Sequence, residues 1–250
     1  MNPTPTHTER LASLRAAVRA LESPAGRGEG AVLPFGIGDV DRRLADGGLA
    51  VAALHEAAAL RGGLPDEAAA TLFLASLAAR RAGPVLWALA RRDLFAPGLA
   101  GAGLKPERVL YAECGRDEDV LAVMEEGLRH GGLAAVVGEA RRVPMAATRR
   151  LQLAAEEGGT PALLLRRRRG VAEDPLAAPS AAVTRWRIGA APSSPLPAPG
   201  IGRARWHVAL ARQRGGEPHD WILEAPDAEA RLALPAGAQH RAGAERKAAA

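Results

Sequence analysis

Residues 51–82 read VAALHEAAALRGGLPDEAAATLFLASLAARRA, and this stretch decides the fold. Its apolar beginning, Val51–Glu56, predicts a buried strand, and the small-residue loop Ala57–Pro65 follows. A helix over Asp66–Ala82 completes a strand–loop–helix unit. In a parallel sheet, such a unit brings the loop and the helix N-terminus to the carboxyl edge of the strands. Helix N-termini at that edge are common phosphate-binding sites.

The loop lacks the residues that a nucleotide-binding P-loop requires. A working loop reads G-x-x-x-x-G-K-[S/T], in which the Lys contacts phosphate and the hydroxyl contacts Mg²⁺. This chain has Gly62 and Gly63 but neither the Lys nor the hydroxyl. Asp66 and Glu67 stand at the start of the helix, where they complement the helix dipole themselves and repel a triphosphate. The sequence therefore predicts a degenerate Walker A region, no cofactor and no enzymatic activity.

Composition indicates one intracellular domain. The 250 residues suffice for a single α/β domain with a full core. The formal net charge of +5 is carried almost entirely by Arg, which permits proximity to nucleic acid but also fits the codon bias of a GC-rich genome. The single Cys114 excludes an intrachain disulfide and fits a reducing compartment. With no signal pattern and no long apolar run, we expect a cytoplasmic protein without a membrane span.

The pattern along the chain predicts three regions. Residues 1–30 form a helical arm and a Pro/Gly linker, residues 31–226 form the domain, and residues 227–250 form a flexible polar tail. The arm either packs on its own domain or docks on a partner. Four apolar residues lie on one face of this arm: Leu11, Leu14, Val18 and Leu21.

Strand and helix patterns alternate through the domain. This alternation predicts a mainly parallel sheet flanked by helices, with antiparallel strands at its C-terminal end. The predicted parallel strands are Val51–Glu56, Val85–Leu89, Val109–Glu113, Ala134–Gly138 and Ala162–Leu165. The predicted helices are Asp66–Ala82, Leu94–Ala102, Asp117–His130 and Pro144–Glu157. The predicted antiparallel strands are Ala181–Ile188, Arg203–Arg212 and Asp220–Glu224.

Several segments, in order, resemble the core of RecA and in particular the ImuA family. These are LPFGIGDVDRRLADGGLAVAALHE (33–56), GPVLWALARRDLFAPGLAGAGLKPERVLYA (83–112), LAAVVGEA (133–140) and RRLQLAAEEGGTPALLLR (149–166). No single segment is diagnostic, but their joint order is specific. The resemblance spans about Leu33 to Glu224 and implies a RecA-like fold.

The resemblance also implies a function. ImuA-family proteins are expected to be RecA-like adaptors in SOS-induced, error-prone translesion DNA synthesis. The implied partners are an inactive Y-family polymerase homologue and an error-prone C-family polymerase, with RecA as a further candidate. DNA contact is expected to be weak or indirect, and localisation to be cytoplasmic, with nucleoid association during the damage response. Two alternatives stay open: a weak or atypical RecA-type ATPase, and a regulatory binder similar to a cell-division inhibitor.

The sequence departs from RecA-like ATPases at the acidic positions as well. Where such ATPases place an acidic residue after the second strand, this chain reads Leu89-Ala-Arg-Arg92, followed by Asp93. At the Walker B position, Glu139 follows Gly138. The pair Asp93 and Glu139 is either a residual metal site or, in the interpretation we prefer, a pair of relic carboxylates bonded to the Arg91 and Arg92 region.

The densest charge cluster is Arg166, Arg167, Arg168 and Arg169. The cluster follows a buried strand, so we expect it to project at one edge of the sheet. Guanidinium groups bind phosphate and carboxylate bidentately, which suits a DNA backbone or an acidic partner. The alternative is a solvated loop that Glu173 and Asp174 neutralise.

Other polar residues favour structural roles. His55 and Glu56 are neighbours on a strand and point to opposite faces, so we expect a locally hydrogen-bonded His rather than an acid/base pair. Cys114 lacks a nearby His and is expected to be inert. Three tryptophans alternate with arginines, which fits either a base-stacking surface or, as we prefer, ordinary packing. They are Trp186, Trp206 and Trp221.

Overall fold

The computed structural model describes residues 31–168, 173–194, 196 and 199–235. The predicted arm, with Leu11, Leu14, Val18 and Leu21, lies outside the described residues. Arg169 and residues 236–250 lie outside them as well. No helix in these ranges combines the length and the apolar character needed to cross a membrane.

Among the described residues, ten strands form two sheets. Their bounds are β1 Val32–Leu33, β2 Leu49–Ala50, β3 Leu54–Ala59, β4 Val85–Leu89, β5 Val109–Glu113, β6 Ala135–Ala140, β7 Ala162–Arg166, β8 Thr184–Ala191, β9 Arg205–Gln213 and β10 His219–Glu224. β1 and β2 pair with each other, and the remaining eight form one sheet in the order β10-β9-β8-β3-β7-β6-β4-β5.

The large sheet is parallel through its centre and antiparallel at its C-terminal side. β3, β7, β6, β4 and β5 run parallel to their neighbours, and β9 and β10 are antiparallel. β8 is antiparallel to β9 but parallel to β3. The prediction of a mainly parallel sheet is therefore confirmed. The segment Ala181–Ile188 was predicted as an antiparallel strand, which is correct for its pairing with β9 but wrong for its pairing with β3.

In the part of the chain that the structure describes, five helices cover this sheet, together with a short 3₁₀ turn at Pro106–Arg108. They are α1 Gly38–Asp41, α2 Leu64–Ala79, α3 Ala96–Gly101, α4 Asp117–His130 and α5 Met145–Gly158. One core cluster joins residues of α2 to one face of the sheet, and a second joins α4 and α5 to the other face. Because both faces of the central strands are covered, those strands are nearly continuous apolar runs.

Aromatic packing anchors the α2 face of the core. The ring of Phe73 on α2 lies 5.5 Å from that of Trp186 on β8, and Phe35 lies 5.6 Å from the same indole. The ring of Trp221 on β10 lies 6.3 Å from that of Trp186, at a tilt of 31°. All three C-terminal tryptophans, Trp206 included, are buried, so the packing interpretation is confirmed over the base-stacking one.

The predicted end of the domain at residue 226 was too early. Ala230 and Leu232 are buried, and Leu232 belongs to the main core cluster. Ala233 forms a β-bridge with Glu224 on β10. Residues 227–235 therefore pack on the domain, and the sequence missed this because only small and isolated apolar residues mark the contact.

Candidate functional site

The candidate site lies at the carboxyl ends of β3, β6 and β7, around the start of α2. β3 begins three residues later than predicted and runs through the alanines to Ala59, with all six residues buried. His55 and Glu56 are therefore inside the strand, and only residues 60–63 remain between β3 and α2. The G-x-x-x-x-G part of a P-loop alone spans six residues. The loop is thus too short to wrap around a phosphate chain.

Asp66 occupies the N-terminal end of α2 with its own carboxylate. One carboxylate oxygen accepts the backbone N–H of Arg61 at 2.9 Å, and the other accepts the backbone N–H of Ala190 at 2.8 Å. Asp66 is only 7% exposed. A carboxylate in the first turn of a helix interacts favourably with the helix dipole, as a bound phosphate does there. The Asp66 carboxylate therefore ties the loop before α2 to β8 and places a negative charge in the first turn of the helix.

Arg167 joins the remaining carboxylates of the site. Its guanidinium donates to Glu139 at 2.7 Å and to Glu67 at 2.8 Å. The indole N–H of Trp87 donates to the other oxygen of Glu139 at 2.7 Å. Burial acts to lower the pKa of Arg167, but the charges of Glu139 and Glu67 outweigh it and raise that pKa, so the guanidinium stays charged.

This network corrects the preferred interpretation of Glu139. Its partners are Arg167 and Trp87, not the Arg91 and Arg92 region. Asp93 does contact Arg91, at 3.6 Å on the surface. Among the described residues, no group of three His, Cys, Asp or Glu side chains is placed to hold a metal ion.

Glu56 is the centre of a second, fully buried cluster on the opposite face of β3. Its carboxylate accepts hydrogen bonds from Arg166 at 2.9 Å, from Arg185 at 2.7 Å and from the hydroxyl of Ser180 at 2.9 Å. Arg166 and Arg185 are themselves buried. The cluster joins β3, β7 and β8, and sequence reasoning missed it because Glu56 is more than a hundred residues away from its three partners.

The basic cluster therefore does not project as one unit. Arg166 is buried, so the expectation that it projects from the sheet edge was wrong. Arg167 is bound by Glu67 and Glu139, and Arg168 donates to the carbonyls of Ala59 and Leu60 at 3.2 and 3.1 Å. Contact of Arg167, Arg168 and Arg169 with DNA or an acidic partner stays a prediction.

His55 is held in its neutral form by burial. Its Nε2–H donates to the carbonyl of Ala50 at 2.8 Å, so its Nδ1 accepts the hydroxyl of Thr184 at 2.7 Å. Desolvation lowers the pKa of His55 to about 4. The interpretation as a locally hydrogen-bonded His is confirmed, although the residue lies inside the strand and not at its end.

Cys114 has no activated thiol. Burial and the charge of Asp119 raise its pKa above the ordinary value. A thiol with a raised pKa is a poor nucleophile at neutral pH.

An open cleft of about 290 Å³ remains between the loops at the carboxyl ends of the strands. It is bounded by Leu64 at the start of α2 and Ala90 after β4. Four acidic and four basic side chains line it. The acidic ones are Glu67, Asp93, Asp117 and Glu139, and the basic ones are Arg91, Arg141, Arg167 and Arg168. A cleft with as many carboxylates as guanidiniums does not select for a polyanion.

The fold is similar to that of a known recombinase. The crystal structure of the RadB recombinase superposes with a TM-score of 0.55, covering 81% of this chain and 99% of that one at 16% identity. The RecA-like fold predicted from the sequence is thereby confirmed.

Sequence comparison gives the family. No protein-family model matches the chain. Protein ImuA of Caulobacter vibrioides, strain NA1000 / CB15N, is 39% identical over 208 residues, which are 79% of this chain and 84% of that protein. Protein ImuA of strain ATCC 19089 / CIP 103742 / CB 15 matches equally. The chain belongs to the ImuA family. This ImuA-family protein has a RecA-like fold in which Asp66, at the start of α2, accepts hydrogen bonds from Arg61 and Ala190.

We predict that Glu56→Gln lowers the free energy of unfolding by about 3–5 kcal/mol, because it leaves two buried guanidiniums without an anion. The measurement is urea-induced unfolding at pH 7. The matched control is Glu113→Gln, which breaks an exposed ion pair with Arg92 and should cost less than about 1 kcal/mol. If the two variants lost the same free energy of unfolding, Glu56 would not be the centre of a stabilising buried cluster.

We also predict acid sensitivity from His55. Its pKa is depressed in the fold, so the stability it contributes is complete above pH 6.5 and is lost as the pH falls from 6.5 towards 4. The shift from 6.5 to about 4 corresponds to a total loss of about 3 kcal/mol. The free energy of unfolding should depend less on pH across this window in His55→Gln than in the wild type. The control His130→Gln should show the same pH dependence as the wild type. A wild-type profile that is flat in this window would refute the prediction.

Proposed function

We propose that this chain is a non-catalytic RecA-like adaptor in SOS-induced, error-prone translesion DNA synthesis. The observation that carries the proposal is the Asp66 carboxylate on the N–H groups of Arg61 and Ala190. A RecA-like protein with this negative charge at the start of α2 keeps the surfaces of its fold, while the charge opposes a bound phosphate. Membership of the ImuA family, together with the RecA-like fold, supports an accessory role for this protein.

Three further features support the absence of ATP hydrolysis. The four-residue loop between β3 and α2 provides no Lys and no hydroxyl for a Mg²⁺–triphosphate. Glu67 stands in the first turn of α2 and would repel a γ-phosphate. Glu139, at the Walker B position, is held by Arg167, so its charge is neutralised by a side chain instead of a metal ion.

The proposed partners are an inactive Y-family polymerase homologue and an error-prone C-family polymerase, with RecA as a further candidate. An adaptor of this kind works in the cytoplasm and associates with the nucleoid during the damage response. Direct DNA binding is secondary in this proposal, because Arg166 is buried and Arg167 and Arg168 are already hydrogen-bonded.

We predict that the purified protein does not bind Mg-ATP. Titration calorimetry should show no heat of binding up to millimolar nucleotide, because the loop lacks the P-loop Lys and hydroxyl and because Asp66 and Glu67 place negative charge at the start of α2. A RecA protein titrated in parallel provides the positive control. Saturable binding in the micromolar range would contradict the proposal and favour a weak or atypical ATPase.

We predict that the adaptor recovers polymerases from cells. Affinity capture after DNA damage should return the inactive Y-family homologue and the error-prone polymerase. If the arm docks on a partner, deletion of residues 1–25 should abolish capture while the melting temperature of the domain stays the same. Recovery of cell-division proteins in place of polymerases would overturn the proposal in favour of a division-inhibitor-like binder. A fall in melting temperature on deletion would assign the arm to its own core.

A further inference from the structure

A second cavity, of about 210 Å³, lies at the amino-terminal edge of the large sheet. Its walls are the segment around β2, the start of β8, the turn after β9 and the C-terminal half of α5. Because β3 and β8 run parallel, their first residues lie at the edge opposite to the carboxyl ends that carry the candidate site. This amino-edge cavity is therefore separate from the site around Asp66.

The buried polar side chains of the amino-edge cavity are already bonded within its walls. Gln152 accepts the backbone N–H of Leu54 at 2.9 Å and donates to the carboxylate of Glu156 at 2.8 Å. Gln213 joins the end of β9 to backbone groups of the segment before β2. The hydroxyl of Thr184 contacts side chains of β3 and β8. Because these groups have partners in the wall, the cavity favours an apolar occupant over a small polar ligand.

Apolar side chains cover much of the remaining wall. Ala50, Ala52 and Val183 line the cavity and are half-buried, and the buried side chains of Leu44 and Ala53 line it as well. An apolar side chain that entered the cavity would remove this surface from water, which is the main source of favourable free energy in such contacts.

The chain enters the domain at the rim of this cavity. The carbonyl of Ala31 accepts the backbone N–H of Val51 at 2.8 Å, and the two neighbours of Val51 in the chain, Ala50 and Ala52, both line the cavity. The arm of residues 1–30 therefore joins the domain beside it. Fully extended, residues 22–30 span about 30 Å, so the apolar residues of the arm can reach the cavity of the same chain.

The arm has the chemistry that this cavity accepts. It carries apolar residues at helical spacing, with arginines beside them. The apolar residues are Leu11, Leu14, Val18 and Leu21, and the arginines are Arg15 and Arg19. The charged residues that line the cavity are two carboxylates and one guanidinium, namely Asp46, Glu156 and Arg214. Gln152 is neutral, so its bond to Glu156 does not offset this negative charge.

We infer that the arm of the same chain occupies the amino-edge cavity, with its apolar face against Ala50, Ala52 and Val183 and with Arg15 at the acidic rim. A short tether raises the effective concentration of the arm at its own cavity, which favours contact within one chain over contact between chains. A partner protein that binds the same apolar face must displace the arm first. This contact depends on the cavity and the arm alone, and it does not require the chain to be a translesion adaptor.

Limited proteolysis of the full chain tests the docking. Trypsin cleaves after arginine, and cleavage of a docked segment follows the fraction of time that the segment is undocked. Ala52→Trp fills the cavity, so cleavage after Arg15 and Arg19 should become about tenfold faster than in the wild type. Ala68→Trp is the same substitution at an exposed residue near the start of α2, on the opposite edge, and should leave the rate unchanged.

Leu14→Glu tests the same contact without touching the domain. A carboxylate on the apolar face of the arm is costly to bury, so this variant should be cleaved as fast as Ala52→Trp while the domain keeps its melting temperature to the extent that the arm does not stabilise it. If the wild type and Leu14→Glu were cleaved at the same rate, the inference would be overturned.

A spin label on the arm tests where it docks. Ser13→Cys combined with Cys114→Ser leaves one cysteine for a nitroxide, which should broaden the amide resonances of Ala52 and Gly215 but not that of Ala68. The broadening should persist when labelled chains are diluted with an excess of unlabelled chains. Absence of broadening at the cavity would overturn the inference, and its loss on dilution would overturn it in favour of the arm of a second copy.

Discussion

The carboxylate of Asp66 is the interaction on which the site depends. It binds the loop before α2 through Arg61 and the end of β8 through Ala190, and it lies in the first turn of the helix. A negative charge there is stabilised by the helix dipole whether it belongs to a ligand or to the protein. The protein itself supplies this charge, and a loop of only four residues, 60–63, separates β3 from α2.

The arginines at the end of β7 and just after it bind the protein's own carboxylates and carbonyls. Arg166 turns inward to Glu56, Arg167 joins Glu139 to Glu67, and Arg168 binds backbone carbonyls of the β3–α2 connection. A segment that looks in sequence like a surface for phosphate is thus mostly a set of counter-ions for the protein's own carboxylates and carbonyls. Ions that are buried and paired in this way are costly to leave unpaired, so each partner depends on the other.

The sequence predicted those elements whose signals are local. β4, β5 and α4 have the predicted bounds, because short apolar strands and an acidic helix start are recognised from a few neighbouring residues. The end of β3 was predicted too early because alanine has low strand propensity, and only pairing with β7 and β8 makes Ala57–Ala59 a strand. The Glu56 cluster and the partners of Glu139 depend on long-range contacts, which one sequence cannot display.

The central claim is that Asp66 stands in the place of phosphate, and crystallography tests it most directly. Crystals of this chain grown with millimolar Mg-ATP should show the Asp66 carboxylate on the N–H groups of Arg61 and Ala190, without triphosphate density at the start of α2. Triphosphate density at that position, with Asp66 displaced from both N–H groups, would contradict the account.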